Sequence, residues 1–164
     1  MKNLYSFSLI LLLLSILQSF EGAAQVNIVN GSTTDCQDSL YDSGGQTGSY
    51  ANSENLEYTI SPTGASTITI TVDSINIGAG DVLRIHDGPT SASTVLYEFT
   101  DTSVFIPAPI TSSGGDITVH FVSDGSTVDF GFKLHWAANT APASVSVSGI
   151  STFCIGSNIV FTAN

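Results

Sequence analysis

Three histidines (His86, His120, His135), two cysteines (Cys36, Cys154) and the run YDSGGQTGSYANSENLEYTI, Tyr41 to Ile60, are where this 164-residue sequence holds residues of chemical interest. The glycines Gly44, Gly45 and Gly48 suggest a phosphate cradle, but such a loop needs a lysine for the phosphates and a helix N-terminus facing them, and the run has neither. Nucleophilic catalysis needs a Ser or Cys with a base and an orienting acid, yet there is no G-x-S-x-G elbow. Glycoside hydrolysis needs two carboxylates flanking a bond, and Glu54, Glu57 and Asp73 are acids whose convergence the sequence leaves open. If Phe121 pairs with Phe132 across a last hairpin, His120 lies opposite Lys133. His135 is then only its diagonal neighbour, at roughly 7 to 8 Å. With His86 on a different strand, the histidines read as solvent-facing strand residues rather than zinc ligands. The expectation is a chain without enzymatic activity.

These residues sit on or between short strands. Leu56, Tyr58 and Ile60 alternate with polar neighbours, and Ile68, Ile70 and Val72 alternate with Thr67, Thr69 and Thr71. Further strands are expected at 82–86, 94–99, 103–106, 116–122 and 131–136, separated by GAGD, DGPTSAS, TSSGG and SDGSTVD. No segment carries a helical period. Many short strands with Gly, Ser, Asp and Pro turns predict an all-β fold, an antiparallel sandwich or barrel. The inward set is Leu56, Tyr58, Ile60, Ile68, Ile70, Val72, Leu83, Ile85, Ile117, Val119, Phe121, Phe132, Leu134 and Trp136. Each fully buried large side chain of this kind contributes about 1.5 to 3 kcal/mol, enough together to hold a domain of about 100 residues.

The first 24 residues have the form of a secretory signal peptide. Lys2 precedes an apolar stretch from Phe7 to Leu17, and the small residues Gly22, Ala23 and Ala24 precede Gln25, so cleavage is expected after Ala24. The apolar stretch is shorter than a membrane-spanning helix requires. The expected location is therefore secreted or cell-surface. The formal net charge is −11, and past residue 24 only Arg84 and Lys133 are cationic. Nucleic acid and anionic membrane surfaces are both gripped by clustered cations, so neither is an expected partner. Asn30 to Ser32, NGS, matches an N-glycosylation sequon. Residues 138–143 are small and nearly uncharged and read as a linker into a further segment, 144–164, too short to form a sandwich alone.

The run from Cys36 through Tyr41–Gly45, Gly48, Tyr50 and Glu54 resembles the start of a CUB domain, in the variant common among exported bacterial multidomain proteins. The resemblance continues through TISP (59–62), DVLRIHDGP (81–89), ITSSGGDITVHFVSDGS (110–126) and GFKLHW (131–136), and covers residues 36–137. It implies a two-sheet, jelly-roll-like antiparallel β-sandwich. Residues 25–35 are then an N-terminal lead-in, and the glycines of the opening run serve a turn before a sheet.

The resemblance also implies a non-catalytic extracellular recognition or adhesion module of a larger protein, binding protein or glycan. The alternatives are an accessory domain of a secreted protease or glycosidase, or a structural spacer. Many CUB domains hold calcium at one end of the sandwich, and Tyr50, Asp81, Asp124 and Ser126 match the family's positions, with Gly78 where its Glu falls. The chain lacks the further cysteines of the family, notably one near Trp136, which leaves Cys36 without its expected partner. The segment around Cys154 resembles the first strands of an immunoglobulin-like module, in which that cysteine would pair downstream.

Overall fold

A computed structural model describes residues 25–101 and 105–140. The expected signal peptide, residues 1–24, and the segment around Cys154 lie outside the described residues. Among the described residues ten strands follow in order: β1 (Val26–Asn27), β2 (Gly31–Thr33), β3 (Gln37–Tyr41), β4 (Asn55–Ile60), β5 (Ala65–Asn76), β6 (Val82–Asp87), β7 (Thr94–Thr100), β8 (Ile110–Thr111), β9 (Ile117–Val122) and β10 (Gly131–Thr140). They form two five-stranded sheets, ordered β1-β3-β10-β5-β8 and β2-β4-β9-β6-β7. No helix among the described residues is long and apolar enough to cross a membrane.

The period-two pattern places the core between the sheets. Along β5, Ile68, Ile70 and Val72 point inward and the threonines between them do not, because successive side chains on a strand take opposite faces. Leu134 and Trp136 of β10 meet Ile85, Val119 and Phe121 of the other sheet in one apolar cluster. Of the expected inward set only Leu56 is half-buried rather than buried. The cluster also takes in Ile28, Leu40, Tyr50, Ile77, Phe99 and Ile110.

Several expectations need correction. The 25–35 segment is structural: β1 runs parallel to β3, and β2 runs parallel to β4, so the segment spans both sheets and makes each of them mixed rather than purely antiparallel. Ile28, between β1 and β2, is fully buried. The strand expected at 103–106 does not form at its described end, where Phe105 and Ile106 are exposed and outside any strand. The expected linker begins as strand, since β10 continues to Thr140 against Ala65 of β5. Cys36, expected to lack a partner, is disulfide-bonded, and the partner lies outside the described residues.

The last hairpin is also absent. β9 and β10 belong to different sheets, β9 pairing with β4 and β6, β10 with β3 and β5. Phe121 and Phe132 meet across the core instead, with ring centroids 5.4 Å apart in an edge arrangement.

The burial of Ile28 gives a direct check. Ile28→Val is expected to cost about 0.5 to 1.5 kcal/mol, the loss of one packed methyl with its cavity. Val29→Ala, at a side chain 56% exposed, should stay within about 0.5 kcal/mol. Denaturant midpoints of the two variants measure this, and equal midpoints would put the lead-in outside the core.

Candidate functional site

Three connections converge at one end of the sandwich: residues 42–54 between β3 and β4, 77–81 between β5 and β6, and 123–130 between β9 and β10. Tyr50 is their centre. Its ring lies edge-on to Phe121 with centroids 4.9 Å apart, which buries it in the apolar core. Its hydroxyl reaches out of that core, donating to Asp81 Oδ2 at 2.5 Å and accepting from the Gly78 N–H at 2.6 Å. Burial, then the neighbouring Asp81 carboxylate, push the phenol up to about 12, so it stays a proton donor at neutral pH.

Asp81 is itself buried, and its second oxygen accepts the Asp124 N–H at 2.8 Å. Asp124 in turn receives the backbone N–H of Ser126 at 2.7 Å and its hydroxyl at 3.0 Å on Oδ1. The four positions indicated by the sequence, Tyr50, Asp81, Asp124 and Ser126, are thus linked by hydrogen bonds although they come from three separate loops. A buried carboxylate is tolerated only with such donors.

Gly78 shows why the third acidic position is empty of a side chain. A Cβ there would lie 1.8 Å from the Thr127 carbonyl oxygen and 3.1 Å from the Tyr50 hydroxyl. Thr127 has φ 34° and Ser53 φ 61°, both left-handed for residues that carry a Cβ. The Ser53 N–H donates to the Asp124 carbonyl at 2.6 Å, which holds the 42–54 and 123–130 loops together. Ser123 completes this tie, its hydroxyl donating to the Ala51 carbonyl at 2.7 Å and accepting the Glu54 N–H at 2.9 Å.

The donor set is all oxygen, as a hard cation such as calcium requires, with two carboxylates at its centre. Among the described residues no group of three or more His, Cys, Asp or Glu side chains is placed to hold a metal. Further oxygens would therefore have to come from hydroxyls, carbonyls and water.

The glycines of the opening run act as a turn. Asp42 Oδ1 accepts the Gly44 N–H at 2.8 Å, the Gly45 N–H bonds the Asp42 carbonyl at 3.1 Å, and Gly45 has φ +73°. Sequence reading passed over Asp42, which is buried and reaches across to the Phe132 N–H at 3.2 Å. Burial raises its pKa against the lowering effect of these N–H donors. Beside it is a cleft of about 250 Å³ lined by Tyr41, Gln46, Ser74, Phe130 and Lys133, with Phe130 at its rim 72% exposed.

The acids weighed for hydrolysis do not converge. Glu57 projects from the outer face of one sheet, opposite His120, while Asp73 projects from the outer face of the other, held by Lys133 at 3.3 Å and His135 at 2.9 Å. Glu54 accepts the Ser43 hydroxyl at 2.7 Å. The Asn30 carboxamide oxygen of the sequon accepts the Glu57 N–H at 2.8 Å. His135 is exposed as expected, but His86 is buried, a correction with a local cause. The strap 88–93 folds over it, tied down by Thr118 to the Gly88 carbonyl at 2.7 Å and by Thr59 to the Pro89 carbonyl at 3.1 Å.

Residues 30–136 match the CUB domain family. The chain belongs to the CUB domain family. As a CUB domain it is 28% identical to human cubilin over 101 residues, which is 58% of this chain and 3% of cubilin, so it spans a small part of that relative. Its fold is similar to a crystal structure of the MASP-1 CUB2 domain bound to Ca2+, at 22% identity and a TM-score of 0.57 over 67% of this chain and 99% of that one. It is also similar to the extracellular region of zebrafish Gpr126/Adgrg6, at 19% identity and a TM-score of 0.56 over 71% of this chain and 15% of that one. CUB domains are typically non-catalytic and commonly act as extracellular modules of protein interaction, some of them with calcium.

Proposed function

We propose that this CUB domain is a non-catalytic extracellular recognition module, and that its loop end binds calcium and presents the surface that grips a partner protein. The hydrogen-bonded chain from Tyr50 through Asp81 and Asp124 to Ser126 carries this reading. It supports a cation at a place where the backbone is held in left-handed conformations at Ser53 and Thr127, a strain that surrounding structure must maintain. The same 123–130 loop exposes Val128 and Phe130, apolar side chains of the sort that mark a contact surface. Asp81 and Asp124 would supply the charged oxygens and Ser126 a hydroxyl, while Tyr50 fixes Asp81 in place. Calcium there would neutralise two neighbouring carboxylates and stiffen the three loops.

With two carboxylates, affinity is expected near the roughly 10⁻⁴ to 10⁻³ M of extracellular calcium modules. At tenfold excess over Kd, binding to the native state alone stabilises it by about 1.4 kcal/mol, a rise of several degrees in Tm. Asp124→Ala should abolish the rise, and Asp73→Ala, on the opposite side of the first sheet from the core, should keep it. A wild-type melting curve unchanged at about 10 mM calcium would sink the cation reading. Recognition is tested by binding to extracellular matrix and cell-surface proteins, which should fall on calcium chelation and with Phe130→Ser. Binding unaffected by either change would place the contact surface elsewhere.

A further inference from the structure

The outer face of the second sheet carries a pair of histidines that the calcium cluster does not use. We propose that His86 and His120 bind a divalent transition-metal ion of the zinc type between them. The register of β6 against β9 sets Arg84 opposite His120 and His86 opposite Thr118, which makes the two histidines diagonal neighbours on one face. Their ring centroids are 5.8 Å apart with the planes tilted by 45°. A zinc–nitrogen bond of about 2.0 to 2.1 Å puts the ion roughly 3.2 Å from each ring centre, so two imidazoles sharing an ion have centres roughly 5 to 6.5 Å apart. The observed spacing lies inside that interval.

The hydrogen bonds decide which nitrogens are available. His86 Nδ1 is 3.0 Å from the Ser93 carbonyl oxygen, which can only accept, so Nδ1 carries the proton and Nε2 presents a lone pair. That Nε2 is buried and without a hydrogen-bond partner. An imidazole whose N–H is fixed on a backbone carbonyl while its other nitrogen stays bare has the arrangement found around metal-bound histidine. His120 Nε2 faces the Asn55 carboxamide oxygen at 2.8 Å and donates to it, leaving Nδ1 as its free lone pair.

Burial, then the neighbouring His86, hold the His120 pKa below the usual histidine range, with Glu57 opposing and Arg84 reinforcing the shift. His120 is therefore neutral at pH 7, the form a metal needs. Arg84 also repels a cation, but its charge is taken up by Glu98 at 2.6 Å. The chain's net charge of −11 favours cations at long range. Two protein nitrogens leave the remaining positions to water, so the ion is exchangeable rather than structural. Because Nε2 is closed to solvent, loading also requires the 88–93 strap to lift.

Zinc titration of the metal-stripped full chain, in about 10 mM calcium to occupy the carboxylate cluster, tests the proposal by calorimetry and by imidazole ¹⁵N shifts. The expected result is one zinc per chain, with His86 Nε2 and His120 Nδ1 shifting while His135 does not. His120→Ala should weaken binding at least about tenfold and His135→Ala by less than about twofold. His86→Ala removes a buried ring, so the His120 variant and the wild-type shifts carry the decision if it fails to fold. No zinc binding, binding unchanged in His120→Ala, or shifts confined to His135 would each overturn the site. Failure here leaves the calcium reading untouched, because calcium is scored separately by melting.

Discussion

Trp136→Ala is expected to cost about 3 to 5 kcal/mol, a large fraction of the roughly 5 to 15 kcal/mol that holds a native domain together. The indole is 1% exposed, and it stands at the middle of β10, the strand that pairs with both β3 and β5. Its removal leaves a cavity that two sheets with fixed ladders cannot close. The indole Nε1 also donates to the Asp35 carbonyl at 2.9 Å and so ties the β1–β2 segment to the sheet. Trp136→Phe should keep most of the packing while giving up that bond, at about 1 to 2 kcal/mol, because an exposed carbonyl can turn to water. Denaturant unfolding of the two variants separates packing from the tie. A cost below about 1 kcal/mol for the alanine variant would mean the first sheet does not depend on this ring.

Gly78→Glu is expected to destabilise the domain by about 3 kcal/mol, the upper end for overpacking, while failing to improve calcium binding. On composition alone the change looks favourable, since it adds the acid that the family resemblance places there. The backbone forbids it. The first carbon of any side chain would stand 1.8 Å from the Thr127 carbonyl oxygen, an atom that cannot rotate away. Relief requires the 123–130 loop to move, which pulls Asp124 from Asp81 and disturbs the bond from the Gly78 N–H to Tyr50. Gly78→Ala should share most of the loss, because the clash begins at Cβ. Melting with and without calcium reads both effects. A Gly78→Glu variant that folds normally and binds calcium more tightly would show that the loop yields and that the shortage of carboxylates is the true limit.

Much of the scaffold was legible because burial on strands has a period of two. β4, β5, β6, β9 and β10 announce themselves through alternating Ile, Val, Leu and Phe, and nearly every residue so marked is in the core. β1 and β2 were not legible, since strands of two and three residues carry no period. Parallel partners from elsewhere in the chain, together with Ile28, hold them. The juxtaposition of Tyr50, Asp81, Asp124 and Ser126 was legible only through the family resemblance, as these residues lie on three loops joined by neither spacing nor period.

What the sequence determined by itself was which side of β4, β5, β6, β9 and β10 faces the core, that the sheets are built from short strands with turns between them, and that the chain is strongly acidic. Periodicity, however, assigns a residue to a face and not to a sheet. Phe121 and Phe132 are inward on either arrangement, so only tertiary packing could decide that they meet across the core rather than along a hairpin. The same decision moved His120 away from Lys133 and set it beside His86. Likewise, His86 lies on the outer side of its strand and reads as exposed, and it is buried because a loop fixed by Thr59 and Thr118, residues of two other strands, closes over it. Local pattern carries no information about such a cover, because the bonds that hold it join positions about thirty residues apart.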